Sequence, residues 1–231
     1  MKVLVIRPQP GADATCARIL ASGDDASLMP LFEIRRLAWS VPPTVQYDAL
    51  LLTSGNAVRE AGEGLMALSD LPIFAVGSAT ARAAHAAGLI QIAVGDSGVD
   101  KVLEMAGSSG HKRLLWLAGE DRIAVTTPLG MTIDICAVYR SAALSPPNDF
   151  ADTVRLADFI LLHSPRAARH FAALCDVHAI DRAALTLGAY SPNIAASAGS
   201  GWKTIVTAPE PNDESLLAHL RSYFTTADGG L

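Results

Sequence analysis

Residues 48–58 read DALLLTSGNAV, and residues 158–168 read DFILLHSPRAA. Each stretch contains an aspartate, four or five mostly apolar residues, a serine and then a pattern typical of a helix start. The likeness continues downstream, where Gly77 and Gly88 after the first copy are 11 residues apart, as are Gly188 and Gly199 after the second. The chain therefore repeats one structural unit.

Each copy alternates an apolar segment of about six residues with a helical pattern of about ten, which is typical of parallel β-α-β construction. We therefore expect an α/β protein with two similar flavodoxin-like domains, each a mainly parallel five-stranded sheet with flanking helices. The ten predicted strands lie at residues 2–6, 27–34, 48–53, 72–76, 90–94, 113–118, 132–139, 157–162, 184–188 and 203–207.

The repeat does not begin at residue 1. The predicted strands 2–6 and 27–34 precede the first copy, and their counterparts are the strands 113–118 and 132–139. The copies are therefore circularly shifted. The simplest consequence is that one domain is inserted into the other, so that the chain crosses between them twice.

Both crossings carry a double proline, at Pro42 and Pro43 and at Pro146 and Pro147. Proline restricts its own backbone and that of the preceding residue, so we expect two extended connectors. An active-site cleft is expected between the domains. The predicted division is a discontinuous α/β domain of residues 1–36 and 142–231, an inserted α/β domain of residues 38–139, and connectors at residues 37–45 and 139–147.

Composition narrows the class of protein. The chain has 231 residues, of which 50% are hydrophobic and 18% charged, as in a globular protein of two domains. Its net charge of −5 and the absence of a long lysine or arginine cluster argue against nucleic-acid binding. No apolar run reaches the length of a membrane span, and the start MKVLVIRPQP indicates a first strand. A small-molecule partner is therefore expected, with no nucleic acid and no membrane.

The cysteines indicate the compartment. Cys16, Cys136 and Cys175 are an odd number, contain no CxxC pair and have no histidine at metal-binding spacing. A disulfide framework and a zinc site are therefore not expected. This usage fits a reducing cytoplasm.

Serine and glycine residues follow several predicted strands. In open parallel sheets, ligands bind at the carboxyl ends of strands, where helix N-termini offer unpaired N–H groups. Ser54 and Ser164 end strands, and Pro165 after Ser164 is typical of a helix N-cap. Residues 77–80 and 188–191 also precede helices. Capping alone would explain these hydroxyls, whereas four such helix starts facing one cleft would bind an anion.

Familiar catalytic motifs are missing. No G-x-G-x-x-G follows a predicted strand, and no G-x-x-x-x-G-K-[ST], GxSxG or HExxH occurs. His163, alone at a strand end, more often packs or hydrogen-bonds than catalyses. Arg7, directly after the first strand, could form a salt bridge or bind a carboxylate. Tyr139, at a predicted strand end, could pack its ring or donate a proton.

Six segments, in this order and spacing, resemble the uroporphyrinogen-III synthase family over nearly the whole chain. They are LVIRP at 4–8, YDALLLTSGNAV at 47–58, FAVGSATARA at 74–83, VYRS at 138–141, ADFILLHSPRAARHF at 157–171 and the segment 188–199. The resemblance implies two α/β domains with the active site between them. It also implies a lyase of porphyrin and haem biosynthesis that cyclises hydroxymethylbilane, inverts ring D and releases water.

The resemblance implies no metal or organic cofactor and a linear tetrapyrrole as the substrate. A monomer is expected, because nothing in the sequence suggests an obligate dimer seam. The family's tyrosine, which assists departure of the substrate's hydroxyl, falls on Tyr139. Its G-x-x-T-A threonine falls on Thr80 and, in the second copy, on Ser191, where Pro192 departs from the pattern. The residues then expected to bind the substrate's carboxylates are Arg7, Ser54, Gly55, Asn56, Ser78, Thr80, Ser164, Arg166 and Ser191.

Two other classes remain open at this point. A non-catalytic two-domain module could bind a tetrapyrrole or another anionic ligand without turnover. An enzyme dependent on NAD or another nucleotide is disfavoured by the missing glycine fingerprint.

Overall fold

A computed structural model of the chain describes residues 1–95, 98–122 and 124–228. Within these ranges the chain forms eleven strands and eight α-helices. The strands are β1 Lys2–Val5, β2 Asp25–Leu28, β3 Phe32–Arg36, β4 Ala49–Leu52, β5 Ile73–Val76, β6 Ile92–Gly95, β7 Arg113–Gly119, β8 Thr132–Ala143, β9 Phe159–Leu162, β10 Thr186–Ala189 and β11 Thr204–Thr207. The α-helices are α1 Gly11–Ala21, α2 Gly55–Ala61, α3 Ser78–Ala86, α4 Val99–Ser108, α5 Phe150–Leu156, α6 Pro165–Val177, α7 Pro192–Ser197 and α8 Asp213–Asp228. Short 3₁₀ segments span Thr44–Gln46, Gly62–Leu68 and Arg182–Ala184.

The chain divides into two compact units. The first consists of Met1–Glu33 with Ala143–Leu231, and the second of Ile34–Ala142. The first contains a five-stranded sheet in the order β11-β10-β9-β1-β2, with parallel neighbours throughout. The second contains a six-stranded sheet in the order β3-β8-β7-β4-β5-β6, parallel from β8 to β6. The predicted α/β class with two mainly parallel sheets is confirmed.

The two sheets have the same strand order once the repeat is taken into account. β9, β10 and β11 correspond to β4, β5 and β6, while β1 and β2 correspond to β7 and β8. Numbered along the chain, the strands of the first unit lie in the order 2-1-3-4-5, which is the flavodoxin-like arrangement. The inferred circular shift is therefore visible in the sheets themselves.

One predicted strand, at residues 27–34, is wrong as a single element. The structure divides this segment into β2 and β3, which belong to different sheets. Pro30, which has no N–H to donate to a ladder, lies between them. The prediction of five strands per sheet is wrong for the second unit, because β3 adds a sixth.

β8 is longer than its prediction and continues to Ala143. Directly after the extension, the Leu144 N–H donates to the Leu31 carbonyl over 3.0 Å. Tyr139 therefore lies inside a strand rather than at its end. The predicted connector 139–147 begins within this strand.

The repeated aspartates secure the starts of neighbouring strands. Asp48 Oδ2 accepts the backbone N–H groups of Lys112 and Arg113 over 2.8 and 2.9 Å, next to the start of β7. In the other unit, Asp158 Oδ2 accepts the N–H of Lys2 over 2.7 Å, at the start of β1. The two N–H groups hold the pKa of Asp48 below its usual value. The aspartate that begins each repeated segment thus fixes where the neighbouring strand starts.

Each sheet is covered on both faces by apolar side chains. In the first unit Leu4 and Ile160 face one layer, whereas Val5 and Leu161 face the other. The strands therefore lack the hydrophobic and polar alternation of a half-exposed sheet, as expected for a parallel sheet between helices.

We predict that two equivalent core truncations have similar costs. Leu51 in β4 and Leu161 in β9 are fully buried at matching positions of the repeat. Leu51→Ala and Leu161→Ala should each cost about 2–5 kcal/mol, through lost apolar contacts and a residual cavity. Amide hydrogen exchange in the strands of each unit measures the loss.

Leu129→Ala, at a fully exposed position, is the control and should leave exchange unchanged. A loss below about 1 kcal/mol in either core variant would contradict the equivalence of the two central strands.

Candidate active site

Three polar residues meet at the carboxyl edge of the first unit's sheet. Arg7, His163 and Tyr190 follow β1, β9 and β10, which are adjacent and parallel. Parallel pairing in register brings residues that follow neighbouring strands to the same level. Sequence reasoning considered Arg7 and His163, but it missed Tyr190.

A buried carboxylate connects these residues. Asp213, the first residue of α8, is 5% exposed. Its Oδ1 accepts a hydrogen bond from the Tyr190 hydroxyl and lies 3.3 Å from His163 Nε2. Its Oδ2 accepts from Thr15 Oγ1 over 2.9 Å and from Arg18 Nη1 over 2.7 Å. We call these five residues and Arg7 the Asp213 network.

Arg7 is attached to this network through two hydroxyls. Its Nη1 donates to Thr15 Oγ1 over 3.3 Å and to the Tyr190 hydroxyl over 3.4 Å. The guanidinium also lies against Gly11, where an added Cβ would come within 2.6 Å of Arg7 Nε. Gly11 is thus needed for this approach. Arg7 forms no salt bridge with any residue in the described ranges.

The protonation states follow from burial and hydrogen bonding. Burial alone would raise the pKa of Asp213, but hydrogen bonds from His163 and Tyr190 outweigh it and lower the pKa. Burial and the neighbouring Asp213 carboxylate raise the pKa of Tyr190. Burial lowers the pKa of His163 in spite of Asp213. At neutral pH the network therefore holds two guanidinium groups against one carboxylate, which leaves one positive charge.

The second unit presents helix starts at its own carboxyl edge. Ser54 caps α2 and accepts the N–H of Asn56 over 3.1 Å, and Gly55 is the first residue of the helix. Asn56 Oδ1 accepts from Arg59 over 2.6 Å. In the next helix, Ser78 Oγ accepts from Arg82 over 3.2 Å.

Arg59 and Arg82 are two further candidates that sequence reasoning missed. Both side chains are exposed, and neither forms an ion pair with a residue that the structure describes. Their spacing of three and four residues from Asn56 and Ser78 was the available signal, because such residues are neighbours on a helix. Thr80, by contrast, is only 5% exposed.

Tyr139 belongs to the same edge of the second unit. It pairs with Gly119, the last residue of β7, and its ring lies against the glycine. A Cβ at Gly119 would be 2.9 Å from the ring Cζ and 3.0 Å from the hydroxyl. The ring is half-buried, and its hydroxyl has no hydrogen-bond partner within residues 1–95, 98–122 and 124–228. This hydroxyl is free to contact a ligand.

The capping interpretation of the serines is confirmed. Ser164 Oγ accepts the N–H of Ala167 over 3.1 Å, and Ser191 Oγ accepts the N–H of Ile194 over 3.4 Å. These bonds occupy one acceptor position of each hydroxyl and leave its proton available. Arg166 is not part of the Asp213 network, and its guanidinium lies 5.0 Å from the centre of the Phe32 ring.

The correspondence of Ser191 with Thr80 is wrong. Leu50 pairs with Ile73, and at the matching level of the other sheet Ile160 pairs with Leu187. This register aligns Ser191 with Gly77, and both are helix N-caps. Gly188 lies inside β10, so its spacing to Gly199 does not mark the same structural position as in the first copy.

The residues that the structure describes contain neither a candidate metal cluster nor a candidate membrane-spanning helix. No group of three histidine, cysteine, aspartate or glutamate residues there is arranged to hold a metal ion. None of the helices in those ranges is both long and apolar enough to cross a membrane.

Comparison with known proteins identifies the family. The family model described as uroporphyrinogen-III synthase HemD matches residues 13–218. The chain belongs to the uroporphyrinogen-III synthase family. The resemblance noted in the sequence is confirmed, and so is the predicted class of cyclising hydro-lyase in porphyrin and haem biosynthesis.

Solved structures share the fold. The uroporphyrinogen-III synthetase of Helicobacter pylori 26695 is similar with a TM-score of 0.64 and 16% identity, over 96% of this chain and 100% of that chain. A mutant uroporphyrinogen III synthase of Thermus thermophilus has a TM-score of 0.55 and 17% identity, over 97% and 99% of the two chains. No curated protein sequence matches the chain.

We predict that acid stability depends on Asp213. Because its pKa is lowered in the folded state, its contribution is complete above the pKa of an unfolded aspartate, about 4, and is lost as the pH falls further. Asp213→Asn should therefore be less stable at neutral pH and decline less steeply below about pH 4. Urea midpoints across this range measure both effects.

Glu214→Gln, at the exposed neighbouring position of α8, is the matched control and should follow the wild type. Parallel curves for Asp213→Asn and the wild type below about pH 4 would show that Asp213 titrates like an unfolded aspartate.

Proposed function

We propose that the chain converts hydroxymethylbilane to uroporphyrinogen III without a cofactor, and that residues at the carboxyl edge of each sheet bind carboxylates of the substrate. The main support is a set of arginines without an acidic partner at these edges, in a chain whose net charge is −5. Arg7 in the first unit, and Arg59 and Arg82 in the second, have no acidic partner within the described ranges. Unpaired guanidinium groups suit a substrate with eight carboxylates.

Carboxylate binding would use three kinds of donor. Guanidinium groups provide charge, with Arg7, Arg59 and Arg82 as the strongest candidates and Arg166 as a further one. Helix starts provide N–H groups and capping hydroxyls. The residues proposed to provide these N–H groups and hydroxyls are Ser54, Gly55, Asn56, Ser78, Thr80, Ser164 and Ser191. Local attraction would offset the repulsion of a polyanion by the net charge.

Tyr139 is the proposed acid. The C–O bond of the hydroxymethyl group breaks, and the phenol proton passes to the departing oxygen to form water. The pyrrole N–H proton of the same ring passes to the phenolate, which restores the phenol and leaves an azafulvene. Attack through the substituted carbon of ring D gives a spiro intermediate, which fragments and closes again with ring D inverted. Uncatalysed closure gives the type I isomer, so orientation of the chain must supply the selectivity. The free hydroxyl of Tyr139 supports this role.

The reaction itself is the first test. With hydroxymethylbilane as substrate, the wild-type protein should give mainly the type III isomer, measured by oxidising the products and separating isomers I and III. Type I alone would overturn the proposal. Saturable binding of the tetrapyrrole without turnover would instead identify a binding module.

Tyr139→Phe tests the acid. Removing the hydroxyl should lower kcat by about 10²-fold or more, because positioned acids contribute roughly that much, while the thermal unfolding temperature stays unchanged. Tyr223→Phe, which removes a hydroxyl from a ring packed against Phe159, is the control and should retain full activity. Unchanged turnover in Tyr139→Phe would leave Tyr139 with a packing role only.

We further propose that the protein acts as a monomer in the cytoplasm and binds no nucleic acid. Its three free cysteines fit a reducing compartment, and its net charge disfavours polyanionic nucleic acid.

A further inference from the structure

The Asp213 network contains two parallel hydrogen-bonded links that the proposed chemistry does not use. Tyr190 accepts from Arg7 Nη1 and donates to Asp213 Oδ1, whereas Thr15 accepts from the same nitrogen and donates to Oδ2. Each link runs from the guanidinium at the strand ends to the buried carboxylate. Both oxygens of Asp213 therefore act on the position of one nitrogen of Arg7.

The links leave the rest of the guanidinium available. Hydrogen bonds to described residues involve only Nη1, so Nε and Nη2 have no partner there. The edge formed by Nε and Nη2 can bind a carboxylate through two parallel hydrogen bonds. Gly11 lies against this part of the group without a side chain to cover it.

Neutralising Asp213 does not require these links. Arg18 Nη1 already pairs with Asp213 Oδ2 over 2.7 Å. The buried hydroxyls therefore connect an already paired carboxylate to a second cation that has no acid of its own. Holding a long side chain in one rotamer removes an entropic cost that substrate binding would otherwise carry.

We propose that Tyr190, Thr15 and Asp213 are positioning residues that hold Arg7 ready for a carboxylate of the ligand. The inference rests on the proposed function, because it takes the ligand of Arg7 to be a carboxylate of the tetrapyrrole. Arg7 makes the contact, and the three other residues act through it. Sequence reasoning had no access to this arrangement, since the residues come from α1, the turn after β10, and α8.

A double-mutant cycle tests the proposal. The variants are Tyr190→Phe, Arg7→Met and the two combined, with Tyr223→Phe as the matched control. The readouts are KM and kcat with hydroxymethylbilane, and the Kd of uroporphyrin III, a stable octacarboxylate, from fluorescence quenching. Tyr190→Phe should raise KM and Kd about three- to tenfold and change kcat less than about twofold, because it weakens one charge-assisted contact.

Arg7→Met should raise both constants by about tenfold or more, since it removes the contact itself. In the Arg7→Met background, adding Tyr190→Phe should have no further effect, because its influence passes through Arg7. An equal effect of Tyr190→Phe with and without Arg7 would assign Tyr190 a merely structural role and overturn the proposal. An unchanged KM and Kd in Tyr190→Phe would overturn it as well.

If Tyr190→Phe fails to fold, the same double-mutant cycle is measured with Thr15→Val and Arg7→Met, because Thr15 forms the other link. Failure of the proposed function has a separate signature. A wild type that makes no type III isomer, yet binds uroporphyrin III with the predicted coupling, would overturn the function and support the positioning role. Formation of the type III isomer together with additive effects of the Tyr190→Phe and Arg7→Met substitutions would support the function and overturn the positioning role. A wild type that neither binds nor converts these compounds would overturn both.

Discussion

Each sheet depends on a central strand that pairs in parallel on both sides. β4 lies between β7 and β5, and β9 lies between β1 and β10. These pairings fix the level of every strand end, so that the turns leading into helices meet at one edge. Asp48 and Asp158, directly before the two central strands, reinforce this level through backbone N–H groups. The polar residues of each unit are neighbours for this reason.

The charge distribution resolves an apparent conflict. A chain with a net charge of −5 is a poor match for a polyanionic substrate over long distances. At the carboxyl edge of the first unit, however, one carboxylate meets two guanidinium groups, and His163 is neutral because burial lowers its pKa. Arg59 and Arg82 add positive charge at the edge of the second unit. The arginines without an acidic partner therefore lie at strand ends and helix starts.

Much of the fold could be predicted because its signals are local. Apolar runs revealed the strands, and serine followed by proline revealed the caps of α6 and α7. Pro30 interrupts a predicted strand. The apolar pattern continues through residues 27–34, but proline has no N–H to donate to a ladder. The extent of β8 was missed since its partner, β3, was concealed in that same segment. Non-local pairing decided both outcomes.

The candidate site was predictable only in part. Arg7 and Tyr139 lie in recognisable segments, but Tyr190 and Asp213 acquire their significance from contacts across long stretches of sequence. The glycine spacing that aligned Ser191 with Thr80 was a coincidence of composition. Strand register, which depends on hydrogen bonding between distant segments, places Ser191 opposite Gly77 instead.

The circular shift of the repeat has a consequence for biosynthesis. As the ribosome releases the chain from its N-terminus, β1 emerges first, but its neighbour β9 begins only at Phe159. All of the inserted unit is released before then and can complete its own sheet. β1 therefore stays unpaired on this side until β9 has also been released.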